Sequence, residues 1–138
     1  MKVAGVFVAL ACSGCVPMPN TRTSVPSVHG RVVSAKTGEP VDLAAVMIDG
    51  HKETTVMTGR DGAFATDPLT QSSFFRVWNP FAGDPVQQLG LRVVRPGFAK
   101  HKQKVEWHTQ SQTQVHLAEA IRLEDRTAEE TAREVLSR

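Results

Sequence analysis

Two cysteines, Cys12 and Cys15, are separated by two residues in the stretch ACSGC, and no other occurs in the 138-residue chain. A C-x-x-C pair can be a redox couple, half of a metal clip, or a source of one thiol for covalent modification. A redox couple needs a helix N-terminus in a thioredoxin-like βαβ setting to lower a thiol pKa, and the surrounding residues have no such pattern. A zinc site needs two further ligands at suitable spacing, and none is near. The remaining chemistry is that of a handle.

Five histidines, His29, His51, His101, His108 and His116, are the other residues with ligand or base chemistry. Ligands on one face of a strand need even spacing, which His108 and His116 satisfy. No His-x-His pair exists, no Asp or Glu recurs beside them as a supporting shell, and no serine-nucleophile motif is present. They read as scattered surface histidines, with no metal, no cofactor and no enzyme expected.

The charge of +2 and pI of about 8.7 are too mild for a nucleic-acid partner. Its distribution is uneven: Arg22 to Lys104 holds eleven Lys/Arg against seven Asp/Glu, whereas Val105 onward holds four against seven. This is the pattern of a basic domain face followed by an acidic helix.

The thiols follow a leader-like segment. Lys2 precedes a nine-residue apolar run, Val3 to Ala11, which as a helix would cover roughly 14 Å, about half a bilayer's hydrocarbon core. That is a signal-peptide core and not a membrane span. With Ser13 and Gly14 before Cys15, the segment resembles a bacterial lipobox, although Cys12 stands where Leu is usual. The resemblance implies cleavage after Gly14 and acylation of Cys15. Cys12, preceded by Leu10 and Ala11, is the alternative acceptor. Val16 follows Cys15, and the family's inner-membrane retention signal, Asp, is absent there. The resemblance therefore implies outer-membrane anchorage in a Gram-negative cell, with a periplasmic domain.

Residues 15–27 read as the lipidated Cys and an extended linker, since VPMPNTRTSVPS has three prolines and no apolar period. An edge strand there is the alternative. From His29 the runs HGRVVSA, LAAVMI, TTVMT, AFAT, SSFFRVW, LGLRVV, KVEWHT and TQVHLAEAIRL alternate with Gly, Pro and Asp-Gly turn signals. The expectation is an all-β antiparallel sandwich of seven to eight strands over residues 28–120, then a C-terminal segment, 121–138, with one short helix. The predicted core is Val32, Val46, Ile48, Val56, Phe64, Leu91, Val93, Val105, Trp107, Val115 and Leu117. Thr127 and Glu130 form a capping box, and the thin stripe of Ala128, Ala132, Val135 and Leu136 is expected to dock on the sheet.

The stretch GRVVSAKTGEPVDLAAVMIDGHKETTVMTGRDGAFAT, with LRVVRPGFAKHKQKV later, resembles a carboxypeptidase regulatory-like domain of the transthyretin-like group. Gly30, Val32, Thr37, Gly38, Pro40, Val41 and Val46 carry its first block. Thr55, Asp61, Gly62 and Phe64 carry the second, and Pro96, Gly97 and Phe98 the third. The likeness covers about residues 28 to 118 and implies a transthyretin-like or immunoglobulin-like sandwich. Related sandwiches include hydroxyisourate hydrolases, with a Tyr-Arg-Gly-Ser ending, and intradiol dioxygenases, with two Tyr ligands. This chain has no tyrosine, so neither site can be built.

Two surfaces are candidates for binding. The insertion between Arg76 and Gly90 offers Trp78, Asn79, Phe81 and Asp84, either as a contact loop or as a cover folded over one open end. Arg95, Lys100, Lys102 and Lys104 form a basic edge, of the kind that protects a sheet edge from aggregation or binds acidic polymers. The expected function is a non-enzymatic envelope lipoprotein, membrane-attached through Cys15, that binds protein or envelope polymer. A saccharide- or peptide-sensing lipoprotein is the alternative, and a subunit of a secretion machine is a special case.

Overall fold

The computed structural model describes residues 20–73, 81 and 83–137. In chain order the strands are β1 (Asn20–Val25), β2 (Ser27–Ser34), β3 (Ala45–Ile48), β4 (His51–Met57), β5 (Ala63–Ala65), β6 (Leu69–Ser73), β7 (Val86–Val94), β8 (His101–His108), β9 (Gln114–His116) and β10 (Ile121–Leu123). One helix, α1 (Ala128–Leu136), follows. The fold is all-β with a short C-terminal helix, as expected.

One sheet has the order β4-β3-β7-β8 and is antiparallel throughout. A second is organised on β2, which pairs antiparallel with β5 and parallel with β9 and β10, and β1 with β6 makes a separate two-stranded sheet. Val28, Val32, Phe64, Ile121 and Leu123 of the second sheet share one buried cluster with Val46, Ile48, Leu91, Val93 and Val105 of the first. Two sheets facing a common apolar layer make a sandwich. Period-two alternation produces this directly: on β8, Val105 and Trp107 are buried while Lys102, Lys104 and Glu106 are exposed.

The glycines of the anticipated turns sit in left-handed backbone where a side chain would be strained. Gly50 ends the Asp49-Gly50 connection at φ +84°. Gly62, at φ +73°, is also constrained from outside: an added Cβ would lie 2.3 Å from the Val32 carbonyl oxygen. Three buried threonines, Thr54, Thr58 and Thr66, spend their hydroxyls on backbone amides of Ile48, Ala44 and Val28. Such pairing removes the penalty of burying polar groups.

Several expectations are corrected. Ten strands are present among the described residues, against the seven to eight expected. The linker to Ser27 is strand from Asn20, because β1 pairs with β6 and buries Val25. Pro26 follows this strand and so does not interrupt its ladder. TQVHLAEAIRL divides into β9 and β10, both laid parallel on β2, so the sandwich extends through Leu123. Of the predicted core, Val56, Val115 and Leu117 are only partly buried, packing against it. Val25, Val28, Val41, Ala44, Ile121 and Leu123 join it.

The helix does not dock. Thr127 Oγ1 accepts from the Glu130 amide at 3.4 Å, as the capping motif requires. Yet no helical residue is buried, and Val135 and Leu136 are 71% and 87% exposed. Its tie to the chain is an ion pair between Arg126 and Glu134, while alanines contribute too little apolar area to bind a sheet. No helix among the described residues is long and apolar enough to cross a membrane.

Candidate functional site

Strand β8 lies at an edge of its sheet, with β7 on one side only. Alternation sends Lys102 and Lys104 to the outer face, where both are exposed, and Lys100 is exposed just before the strand. None of the three has an ion-pair partner among the described residues. Arg92 of β7 is registered opposite Lys102 but is occupied, its Nη2 2.7 Å from Asp49 Oδ1. The outer face of β7–β8 therefore carries a row of uncompensated ammonium groups. Of the acidic groups on this face, Asp49 is taken by Arg92, and Glu106 lies toward the other end and accepts from Gln88 at 3.0 Å.

Arg95 does not belong to this row. It follows β7 in a turn where the Phe98 amide bonds its carbonyl, and its guanidinium meets Asp42 at 3.2 Å. There it lines a groove of about 410 Å³ with Lys36, Asp42, Phe98 and Asp125. Lys36 in turn lies 3.9 Å from Asp125, so the charges of that groove are largely neutralised in pairs. His101 also leaves the basic row, pointing inward and meeting Gln103 at 3.3 Å.

The insertion is anchored at its C-terminal end. Asp84 accepts from the Gln110 amide at 2.7 Å, from the Ser111 amide at 3.2 Å and from Ser111 Oγ. The Pro85 carbonyl accepts from Thr109. Asp84 thus works as a clamp joining the start of β7 to the turn after β8, with its oxygens committed within the domain. Phe81 is 94% exposed and does not cover the sandwich end. Trp78 and Asn79 lie outside the described residues, as do Cys12 and Cys15. The clamp stands at the His108 end of β8 and the lysines at its start. The six residue steps from Lys102 to His108 span roughly 20 Å, so loop and basic row do not converge on one site.

The hydrogen bond from Ser111, with help from the Gln110 amide and the His108 charge, holds the Asp84 pKa below its ordinary value. A carboxyl depressed in the folded state supports folding fully above its unfolded pKa of about 3.9 and loses that support as pH falls through the lower, folded value. The Gln110 and Ser111 amides are therefore expected to stay protected from hydrogen exchange at pH 5 and to lose protection only below about pH 4. In Asp84→Ala they should be unprotected at both. Equal protection in that variant would remove the clamp.

The structure also joins residues that sequence spacing did not. His116 of β9 is registered opposite His29 of β2, and their rings stack with centroids 4.7 Å apart. His108 belongs to the other sheet, so the even spacing of His108 and His116 places nothing together. Ser27 Oγ lies 2.8 Å from His29 Nε2, which suggests a nucleophile and its base. Its proton is engaged elsewhere: Oγ donates to the Thr66 carbonyl at 2.6 Å. A hydroxyl has one proton and a carbonyl none, so Oγ accepts from Nε2–H. An imidazole nitrogen that donates cannot deprotonate the serine, and this pair is no catalytic dyad.

No family model matches the chain, and no curated protein matches it.

What the site can do follows from its own residues. Uncompensated lysines on a rigid strand attract negative charge, and the strand edge they occupy is otherwise open to pairing.

Proposed function

We propose that this protein is a membrane-anchored envelope lipoprotein whose sandwich domain is a non-enzymatic binding module for an acidic partner, envelope polymer or protein. The observation carrying this reading is the row Lys100, Lys102 and Lys104, exposed and without acidic partners among the described residues, at the start of an edge strand. A solvent-exposed cation with no internal partner stays available to an external one, and electrostatic complementarity governs association rate and selectivity more than raw affinity. The lipobox resemblance of residues 3–15 supports the anchor. The carboxypeptidase regulatory-like resemblance agrees with the left-handed glycines at 38, 62 and 97 and with the bridge between Val33 and Pro40.

The short tether shapes how such a module would work. With strand beginning at Asn20, five steps from an acylated Cys15 reach roughly 17 Å. A twelve-residue linker would have reached about 40 Å. A domain so held works against the membrane surface, not across a wide space.

The experiment is retention of the protein on an immobilised acidic polysaccharide at low salt. Retention should fall as salt rises, because exposed charges are screened. Lys102→Glu/Lys104→Glu should weaken it by at least about tenfold, each exposed pair contributing up to about 1 kcal/mol and reversal adding repulsion. Arg95→Ala should leave it unchanged. Equal retention of the reversed variant would refute the basic row as the binding surface.

A further inference from the structure

We infer that His29 and His116 form a two-imidazole binding site for a late first-row divalent metal ion, Cu(II) ahead of Ni(II) and Zn(II). This rests on neither the lipoprotein reading nor the basic row. The two histidines are directly opposite in the parallel β2–β9 pair, and their rings are stacked on one face at 4.7 Å with an interplanar angle of 29°. Their backbones are fixed relative to one another: the Leu117 amide bonds the His29 carbonyl at 2.9 Å, and the Ser27 amide bonds the Thr113 carbonyl at 3.0 Å.

The tautomer of His29 is set by what surrounds it. Because the Ser27 proton goes to the Thr66 carbonyl, neutral His29 carries its proton on Nε2 and presents the Nδ1 lone pair. Metal-binding imidazoles are oriented in this way, by donating the second ring N–H to a fixed acceptor. The acceptor is well held here. Ser27 and Thr66 are 6% and 2% exposed, and Thr66 exchanges two hydrogen bonds with Val28, through its Oγ1 at 2.8 Å and its amide at 2.9 Å. His116 is exposed, so its ring can turn toward the same ion without moving the backbone. Metal–nitrogen bonds of about 2.0–2.1 Å put two donor nitrogens about 3 Å apart, so metal binding turns the His116 ring out of the stack to aim its in-plane lone pair at the ion.

The donor set selects the metal. Two imidazoles with water completing the shell favour Cu(II), the strongest binder in the divalent series. No group of three or more His, Cys, Asp or Glu gathers among the described residues, and the exposure of His116 leaves the ion open to water and to exchange. Arg31, two residues along the same face of β2, opposes a cation.

The test is titration of the full chain with Cu(II) alone, in detergent, carrying Cys12→Ser and Cys15→Ser so that no thiol competes. One equivalent should bind, with nitrogen hyperfine structure in the EPR spectrum. His29→Gln and His116→Gln should each weaken binding by at least about tenfold. Ser27→Ala keeps both rings but releases the tautomer, and should weaken binding by about tenfold. His51→Gln and His101→Gln should change nothing. The inference is overturned by absence of saturable binding, by unchanged binding in His116→Gln, or by loss in His51→Gln, whose ring lies 3.5 Å from Glu53. His116 is exposed, so that variant decides the matter even where His29→Gln fails to fold.

Discussion

Replacing Trp107 with Ala is expected to lower the stability of the domain by about 3–5 kcal/mol, the range for large aromatic truncations in a core. Trp107 is the largest fully buried side chain among the described residues, at 1% exposure. Single domains are stable by only about 5–15 kcal/mol, so the variant should lie near its unfolding threshold. The site cannot collapse easily, because β8 is held by β7 in register from Val86–His108 to Val93–His101. Trp107→Phe separates packing from polarity. The indole Nε1 is buried with no hydrogen-bond partner among the described residues, and an orphaned buried donor costs about 1–3 kcal/mol. Phe loses some packing but removes that donor, so its loss should be well under half that of Ala. Urea unfolding followed by far-UV circular dichroism measures both. A change under about 1 kcal/mol for Ala would mean that the indole is not a core group.

The second large effect concerns attachment. Cys15→Ala is expected to move the protein from the membrane fraction to the soluble fraction almost completely, while Cys12→Ala leaves it in place. Each acyl methylene contributes about 0.8 kcal/mol, and two or more chains make an anchor that no exposed cation row can replace. Intact mass of the membrane-extracted protein should show cleavage before Cys15 and a diacyl or triacyl adduct, absent in the variant. An unmodified, soluble wild-type protein would sink the anchored reading and leave a diffusible binding protein. An adduct retained in Cys15→Ala and lost in Cys12→Ala would move the acceptor to Cys12.

The binding prediction differs in size and in kind. Exposed ion pairs are individually weak and salt-sensitive, so reversal at Lys102 and Lys104 should alter affinity without altering the fold. Trp107→Ala should do the opposite, acting on stability and reaching binding only through unfolding.

Local pattern made much of the sandwich legible in the sequence. Alternation in KQKVEW placed Val105 and Trp107 inward and Lys102 and Lys104 outward, as the structure has them, because side-chain direction on a strand follows parity alone. Gly50 and Gly62 marked turns, since their backbone conformation excludes most other residues. Buried threonines were not legible as such: Thr54 and Thr58 look like ordinary strand residues until the amides they satisfy are known. The prolines around Asn20–Val25 suggested a linker, although the described one, Pro26, falls just outside the strand that β6 completes.

What the sequence by itself determined was which residues alternate, where the chain turns, and that no tyrosine-based site can exist. Only the tertiary structure decided who meets whom. It drew Arg95 to Asp42 and away from the lysines, and committed Asp84 to the turn after β8. It left α1 uncovered and set His116 against His29, 87 positions earlier in the chain. The reason is physical. Parity and turn preference act over a few bonds, whereas a parallel strand pair or a cross-chain ion pair depends on loop closure over tens of residues, whose free-energy cost is repaid only by the assembled core.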